Sequence, residues 1–378
     1  MSGEMSRDWR RTKLCGAAAL VIGVAAIVGC SSADEQRSAP DAGSSADSGE
    51  RVTDTLEIAR ADVVAGAACS TAPRVLVAYP RDVSADSRLG VQVLFLAVLG
   101  DSVFYVLKWT QLPDGAGMGG AMGGLLMRAP LAGGTASVLA MIPGDVSVGS
   151  QRLFATDSDV FYLAGPTESD GDGAIMRVPT VGGTPELWVR AAGTVVGMIG
   201  DAENIVFVDA KGTSVASLRD GQVRRLTDST ADTIGLADGQ VLLADYARGS
   251  VTSVALNGGT PHLVADEQTG PLLPMACGSS LCWVNAGDVV SGGSIVRLDA
   301  DGGGVEAVAN GFTLPHDMLF DGQDFFVSSG PGGLRLERIS AAGSRTSIVD
   351  ERPGIGDVTL SDSCLYWTSF EGIVSVAL

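Results

Sequence analysis

Large apolar residues come in short bursts along this chain, and each burst is fenced by Asp, Gly or Ser. The bursts are Val103-Phe104-Tyr105, Val160-Phe161-Tyr162, Val206-Phe207-Val208, Val241-Leu242-Leu243, Leu281-Cys282-Trp283, Asp324-Phe325-Phe326 and Leu365-Tyr366-Trp367. A stretch with period-two alternation follows, as in Met127-Arg128-Ala129, Ile175-Met176-Arg177-Val178 and Ile295-Val296-Arg297-Leu298. Then comes a glycine turn such as Gly133-Gly134-Thr135, Gly182-Gly183-Thr184 or Gly258-Gly259-Thr260, and a short apolar run such as Val138-Leu139-Ala140 or Leu263-Val264-Ala265. Runs this short, with period two and no helical spacing, predict strands joined by tight turns.

The phrase repeats. Taking Gly134, Gly183, Gly221, Gly259, Gly303 and Gly343 as equivalent, the spacings are 49, 38, 38, 44 and 40 residues. Units of about forty residues with four strands each belong to a β-propeller, whose sheets bury both faces against their neighbours. A sandwich or solenoid built from similar strands would seldom repeat the same turn signature so often. The expected fold is therefore all-β, a β-propeller of seven four-stranded blades, with six as the alternative count.

The chain ends say how the ring closes. The last unit, Gly372-Ile373-Val374-Ser375-Val376-Ala377-Leu378, resembles Val251-Thr252-Ser253-Val254-Ala255-Leu256, but stops where a glycine turn and an outer strand should follow. Thr71-Ala72-Pro73-Arg74-Val75-Leu76-Val77-Ala78 reads as an outer strand with no strands before it. Residues 71–79 are thus expected to complete the last blade.

Upstream of that strand the composition changes twice. Arg7, Arg10, Arg11 and Lys13 precede an apolar run of 16 residues, Leu14 to Gly29. That is shorter than the roughly 20 residues of a membrane span and suits the apolar region of a secretory signal. The run ends Ile27-Val28-Gly29-Cys30, which resembles the bacterial lipobox. The resemblance implies cleavage after residue 29 and a diacylglycerol on Cys30. By resemblance to enterobacterial lipoproteins, Ser31 in place of Asp favours the outer membrane. Residues 31–56 are Ser, Ala and Asp with almost no bulky apolar side chains, too little to bury a core. The expected organisation is a signal at 1–29, a flexible tether at 30–70 and the propeller at 71–378.

Charge narrows the partners. The chain has 25 Lys and Arg against 44 Asp and Glu, a formal net charge of −19. Removing residues 1–29 leaves 21 basic and 42 acidic residues, hence −21. Such a surface has no basic footprint for nucleic acid and touches an anionic membrane only through a lipid. A monomer is expected. Beyond Cys15 and Cys30 the cysteines are Cys69, Cys277, Cys282 and Cys364, which allow three pairings. In an exported chain disulfides are expected, and Cys277 and Cys282 would close across a tight turn, leaving Cys69 for Cys364. Free thiols are the alternative.

Leu365-Tyr366-Trp367-Thr368-Ser369 is similar to the YWTD signature, and the order of strand, I-x-R-V, Gly-Gly-Thr and strand resembles TolB/YWTD-type propeller lipoproteins of Gram-negative bacteria. The likeness spans 71–378 and is architectural. It implies a cell-envelope location and no particular ligand.

Motifs of enzyme chemistry are absent: there is no HExxH, no GxSxG, no Walker loop and no GxGxxG placed between strand and helix. Counting eight residues back from each burst gives one position per inner strand: Phe95, Arg152, Met198, Thr233, Leu273, His316 and Asp357. Of these, His316 and Asp357 in adjacent blades suggest an acid–base or binding pair, Arg152 an anion partner, and Thr233 a neutral polar contact. The loop Trp109 to Gly124 offers Trp109 for stacking and the thioethers of Met118 and Met122. Asp170 and Asp172 supply hard oxygens that would suit Ca²⁺, though the set falls short of an EF-hand loop. The expectation is a lipid-anchored envelope module that binds or scaffolds a protein, glycan or small ligand. The alternative is a propeller enzyme of lactonase or hydrolase type with a metal- or His-based site at the central mouth.

The lipobox reading has a direct check. Cys30→Ala is expected to abolish lipid attachment and shift the protein from the membrane to the soluble fraction; unchanged partition, with no lipid mass on the parent protein, contradicts it.

Overall fold

The computed structural model describes residues 62–63, 69–78, 89–111, 122–143, 153–164, 173–287, 292–299, 303–331, 333–351, 354–361 and 363–378. The expected signal and Cys30 lie outside this set. By internal contacts the chain divides into Met1–Ser38, of which nothing is described, and Ala39–Leu378. In the latter, every regular element among the described residues is a β-strand.

The strands form seven antiparallel meanders. Blade 1 is Leu89–Leu99, Ser102–Gln111, Met122–Pro130 and Ser137–Pro143; blade 2 is Leu153–Ala155, Asp159–Ala164, Ala174–Pro179 and Glu186–Arg190. Blade 3 runs Gly197–Gly200, Asn204–Asp209, Gly212–Ser217 and Val223–Thr227, and blade 4 Thr233–Ala237, Gln240–Asp245, Ser250–Ala255 and His262–Ala265. Blade 5 comprises Pro271–Cys277, Ser280–Asn285, Gly293–Leu298 and Val305–Phe312, and blade 6 Asp317–Phe320, Asp324–Ser329, Arg335–Ser340 and Arg345–Val349. Blade 7 has Val358–Leu360, Cys364–Ser369 and Gly372–Ala377, and takes its outer strand, Arg74–Ala78, from the other end of the chain. Each first strand touches the first strand of the next blade, and the seventh touches the first. The ring is closed, with seven blades and not six.

Seven apolar clusters fill the seven gaps between blades. Between blades 1 and 2, for instance, Phe104 and Val106 meet Val160 and Tyr162, while Val103 and Tyr105 point the other way, into the gap with blade 7. This is the period-two alternation of a sheet buried on both faces. The paired glycines end the third strands because the turn needs left-handed backbone: in blade 2, Gly182 has φ 88° and Gly183 φ 158°. Beyond the turn, the pairing of third and outer strand shifts register in every blade, which bends and twists the outer edge.

The N-terminal strand obeys the same rule. Arg74 pairs with Ser375 and Ala78 with Gly372, with the shift between Val75 and Val77. It is an outer strand in every respect except chain order. Leu76 and Val77 are buried in the gap between blades 7 and 1. Gly372 is required where this strand crosses, since a Cβ there would overlap the Val77 carbonyl oxygen. Ahead of it, Asp62–Val63 adds a short fifth strand: Val63 pairs with Val77, and Asp62 and Val63 pair with Thr135 and Gly134 of blade 1.

Both disulfides form in the pairing that left Cys69 for Cys364. Cys277–Cys282 spans the first hairpin of blade 5, and Cys69–Cys364 joins the segment before the closing strand to the second strand of blade 7; Cα atoms are 5.9 Å apart in each. The second encloses a separation of 295 residues. In the chain-entropy model a loop of that size contributes about 6 kcal/mol.

Closure through Leu76 predicts an asymmetric mutational response. Leu76→Ala, at a side chain with no exposed surface, is expected to cost about 2–5 kcal/mol in urea unfolding. Val181→Ala, at a side chain 82% exposed on a turn of blade 2, is expected to stay within about 0.5 kcal/mol. Equal effects would mean that the N-terminal strand does not bear on the core.

Candidate functional site

The mouth of the ring is lined by the residues that begin the inner strands, and strand register decides which they are. Val103 and Tyr105 face backwards round the ring, as do Val160 and Tyr162, Ile205 and Phe207, Val241 and Leu243, and Phe325 and Val327. The bursts in blades 3 and 6 therefore start at Ile205 and Phe325, one residue away from the Val206 and Asp324 read off the sequence. A slip of one residue turns every side chain to the opposite face. Corrected by that residue, the mouth positions of blades 3 and 6 are Gly197 and Asp317 rather than Met198 and His316. Pairing confirms the equivalence: Gly197 stands opposite Val208, Thr233 opposite Ala244 and Asp317 opposite Ser328. In blades 1 and 5 the same region is bulged, and Phe95 and Leu273, both at φ 52°, sit in the bulges as buried side chains.

Two of these positions stitch blades together. Thr233 Oγ1 accepts a hydrogen bond from Leu273 N of the next blade at 2.7 Å. Asp317 Oδ2 accepts from Val358 N of the next blade at 2.7 Å, while Oδ1 accepts from Met318 N at 2.9 Å. Thr233 is thus committed to the inner ring. Asp317 is a different case because it is ionisable. Burial pushes its carboxyl up from 3.8 to about 7, against the opposing pull of the Val358 and Met318 N–H groups. Opposite Asp317 in the hairpin lies Ser328, fully buried, with no hydrogen-bond partner for its hydroxyl.

Asp357 immediately precedes the inner strand of blade 7 and takes the mouth position next to Asp317, where its main-chain carbonyl accepts from Thr368 N at 3.1 Å. His316, one residue before Asp317, is only partly buried. Its Nδ1 lies 3.1 Å from the Leu314 carbonyl and its Nε2 3.1 Å from the Ile355 carbonyl in the segment leading to blade 7. The imidazole so positioned bridges blades 6 and 7 through main-chain oxygens. In this part of the ring Leu314, at φ 47°, is 45% exposed and Phe370, whose ring lies over Gly354, is 62% exposed, with Thr313 and Glu371 exposed beside them.

Of the other expected residues, Arg152, Asp170 and Asp172 lie outside the described set. Trp109 belongs to the second strand of blade 1, paired with Val91 and Gly123, so the loop begins after it; Met122 likewise lies in the third strand. Among the described residues no group of three or more His, Cys, Asp and Glu is placed to hold a metal. A cleft of about 420 Å³ lies between blades 2 and 3, lined by Arg190, Ala191, Ala192, Gly193 and Lys211. Beside it the buried Asp209 carboxylate accepts from Ala192 N and Lys211 N, a structural staple between the two blades.

Asp317 escaped the sequence reading because the count in blade 6 began one residue early, at Asp324 instead of Phe325. The first hairpin keeps one register in every blade, with Val98 opposite Val103, Ala155 opposite Val160, Gly200 opposite Ile205, Leu236 opposite Val241, Ala276 opposite Leu281, Phe320 opposite Phe325 and Leu360 opposite Leu365. Starting each count at the residue that faces backwards round the ring would have found it.

No protein-family model and no curated protein matches this chain. Among solved structures, the computationally designed Ika8 protein is similar over 76% of this chain and 96% of its own, with TM-score 0.50 and 11% identity. A chain of a nidogen/laminin complex covers 67% of this chain and 90% of its own at TM-score 0.43 and 20% identity. BamB from Moraxella catarrhalis covers 76% and 96% at TM-score 0.47 and 15% identity. At 11% identity the likeness to the designed protein is one of fold alone.

The state of Asp317 makes a signed prediction. Its folded value lies above its ordinary one, so the folded protein holds this proton more firmly than the unfolded chain does. The associated stabilisation is complete below about pH 4 and is lost as pH rises through about 7. Relative to Asp317→Asn, the parent protein is therefore expected to lose stability between pH 5 and pH 8 in thermal melts. A difference that stays constant across that range contradicts the assignment.

Proposed function

We propose that this chain is a lipid-anchored binding module of the bacterial cell envelope, which takes a ligand bearing a cationic group at the mouth between blades 6 and 7. The envelope location rests on the basic flank, the 16-residue apolar run and Cys30, supported by four paired cysteines of the kind that persist in oxidising compartments. The observation that carries the binding site is the hydrogen bond from Val358 N to the Asp317 carboxylate, which sets Asp317 against the backbone next to Asp357; the exposed Leu314 precedes Asp317 by three residues, and the exposed Phe370 covers Gly354, three residues before Asp357. A carboxylate in a partly desolvated opening attracts cations more strongly than the same group in open solvent, and exposed apolar side chains give the rest of the ligand a surface to cover. The strongly acidic chain steers cationic partners towards it.

One observation favours a catalytic reading. A carboxyl titrating at about 7 is suited to proton transfer at neutral pH, as the acid or base of a hydrolase. Against it, both Asp317 oxygens already accept main-chain hydrogen bonds, and the sequence has no nucleophile motif beside it.

The two readings separate experimentally. On the binding reading, short peptides alternating Lys and Leu bind in titration calorimetry, more tightly at pH 8 than at pH 6 because a cation favours the charged form of Asp317. Binding is expected to fall at least tenfold in Asp317→Asn/Asp357→Asn. Absent binding at low salt, or binding indifferent to the double substitution, rejects the site. Turnover of lactone or ester substrates, lost in Asp317→Asn, would replace binding by catalysis.

A further inference from the structure

The closing strand Arg74–Ala78 is the vulnerable element of the ring. It is five residues long, and its pairing in blade 7 is to the third strand on one edge and to Val63 on the other. Any pull on the chain from its N-terminal side would, in an ordinary propeller of this construction, peel first this strand, whose Leu76 and Val77 help fill the gap with blade 1. Edge strands are the natural starting points of such local opening.

The order of features along the chain alters that outcome. Asp62–Val63 comes first, then Cys69, then the closing strand. Cys69 is bonded to Cys364, which opens the second strand of blade 7, a buried strand paired on both sides. We infer that the Cys69–Cys364 disulfide is a load bypass: tension arriving from the N-terminus enters the fold at Cys364, and the closing strand between Cys69 and Ala78 lies outside the load path. Asp62–Val63, upstream of Cys69, remains in that path and acts as a strap that is shed without opening the ring. Breaking the disulfide moves the point of loading to the closing strand, so the ring's resistance to pulling becomes conditional on oxidation. Only the natural origin of the load, a lipid at Cys30, rests on the proposed anchor; the load path does not.

Optical tweezers test this with the full chain, one handle at the N-terminus and a second on a tag inserted in the exposed Asp238–Gly239 turn of blade 4. In the oxidised protein the low-force steps are expected to end at Cys69, releasing no more than the eight residues 62–69, roughly 25–30 Å at full extension. In Cys69→Ser/Cys364→Ser, which keeps the Cys277–Cys282 bond, a low-force step releasing residues 62–78, 17 in all, and roughly 55–60 Å long, is expected before the blades unfold. The same long step should appear in the parent protein once a phosphine reductant is added, which covers the case of a variant that folds poorly. A long step in the oxidised parent, or identical traces with and without the disulfide, overturns the bypass. Because the handle supplies the force, a Cys30→Ala protein that has lost its lipid should give unchanged traces, so failure of the anchor reading and failure of the bypass are separate results.

Discussion

Every blade of this ring buries both faces, and that single constraint organises the rest. A sheet with apolar residues on alternate sides cannot stand alone in water, and its partners must come in sequence until the last meets the first. The seven interblade clusters are the consequence, each made of one face from either neighbour. The covalent break falls inside blade 7, between its third strand and Arg74–Ala78, so the pairing of those two strands closes the ring. The N-terminal strand supplies what is missing there, through Leu76 and Val77. Because no turn links this strand to the third strand of blade 7, the fold holds it also by a short strap at Asp62–Val63 and a covalent bond from Cys69 to Cys364.

The same constraint shapes the mouth. Inner strands converge on the axis, where side chains at equivalent positions reach the next blade, and polar ones there are used first as fasteners. Thr233 and Asp317 perform the same act two blades apart, each accepting a main-chain N–H of the following inner strand. A threonine in that role is inert. An aspartate in that role has its charge drawn into a desolvated place, and burial outweighs the two hydrogen bonds that favour the ionised form. Structural fastening and ionisable chemistry thus coincide at one residue, with Asp357 next along the ring.

Surface ion pairs have a lesser part. Arginines recur on the third strands, as in Arg177 with Glu186, Arg297 with Glu306 and Arg338 with Asp324, and cross to carboxylates on adjoining strands of the same blade. Solvent-accessible pairs of this kind contribute up to about 1 kcal/mol each. They explain the repeated arginine in the sequence without making it a functional mark.

What the sequence by itself determined is the repeat, and with it the propeller: alternating strands, glycine turns that need left-handed backbone, and a last unit lacking the outer strand that Arg74–Ala78 provides. These are local properties, written in neighbouring residues. The choice between His316 and Asp317 at the mouth was not local. It depends on which residue of the burst, Asp324 or Phe325, faces backwards round the ring, and with a side-chain period of two a difference of one residue exchanges the faces entirely. The pairing of Cys69 with Cys364 was expected once the turn between Cys277 and Cys282 was taken as one bridge, and the folded ring brings the two Cα atoms to 5.9 Å. Only closure set Asp317 against the backbone of the next blade, where burial rather than sequence fixes its protonation.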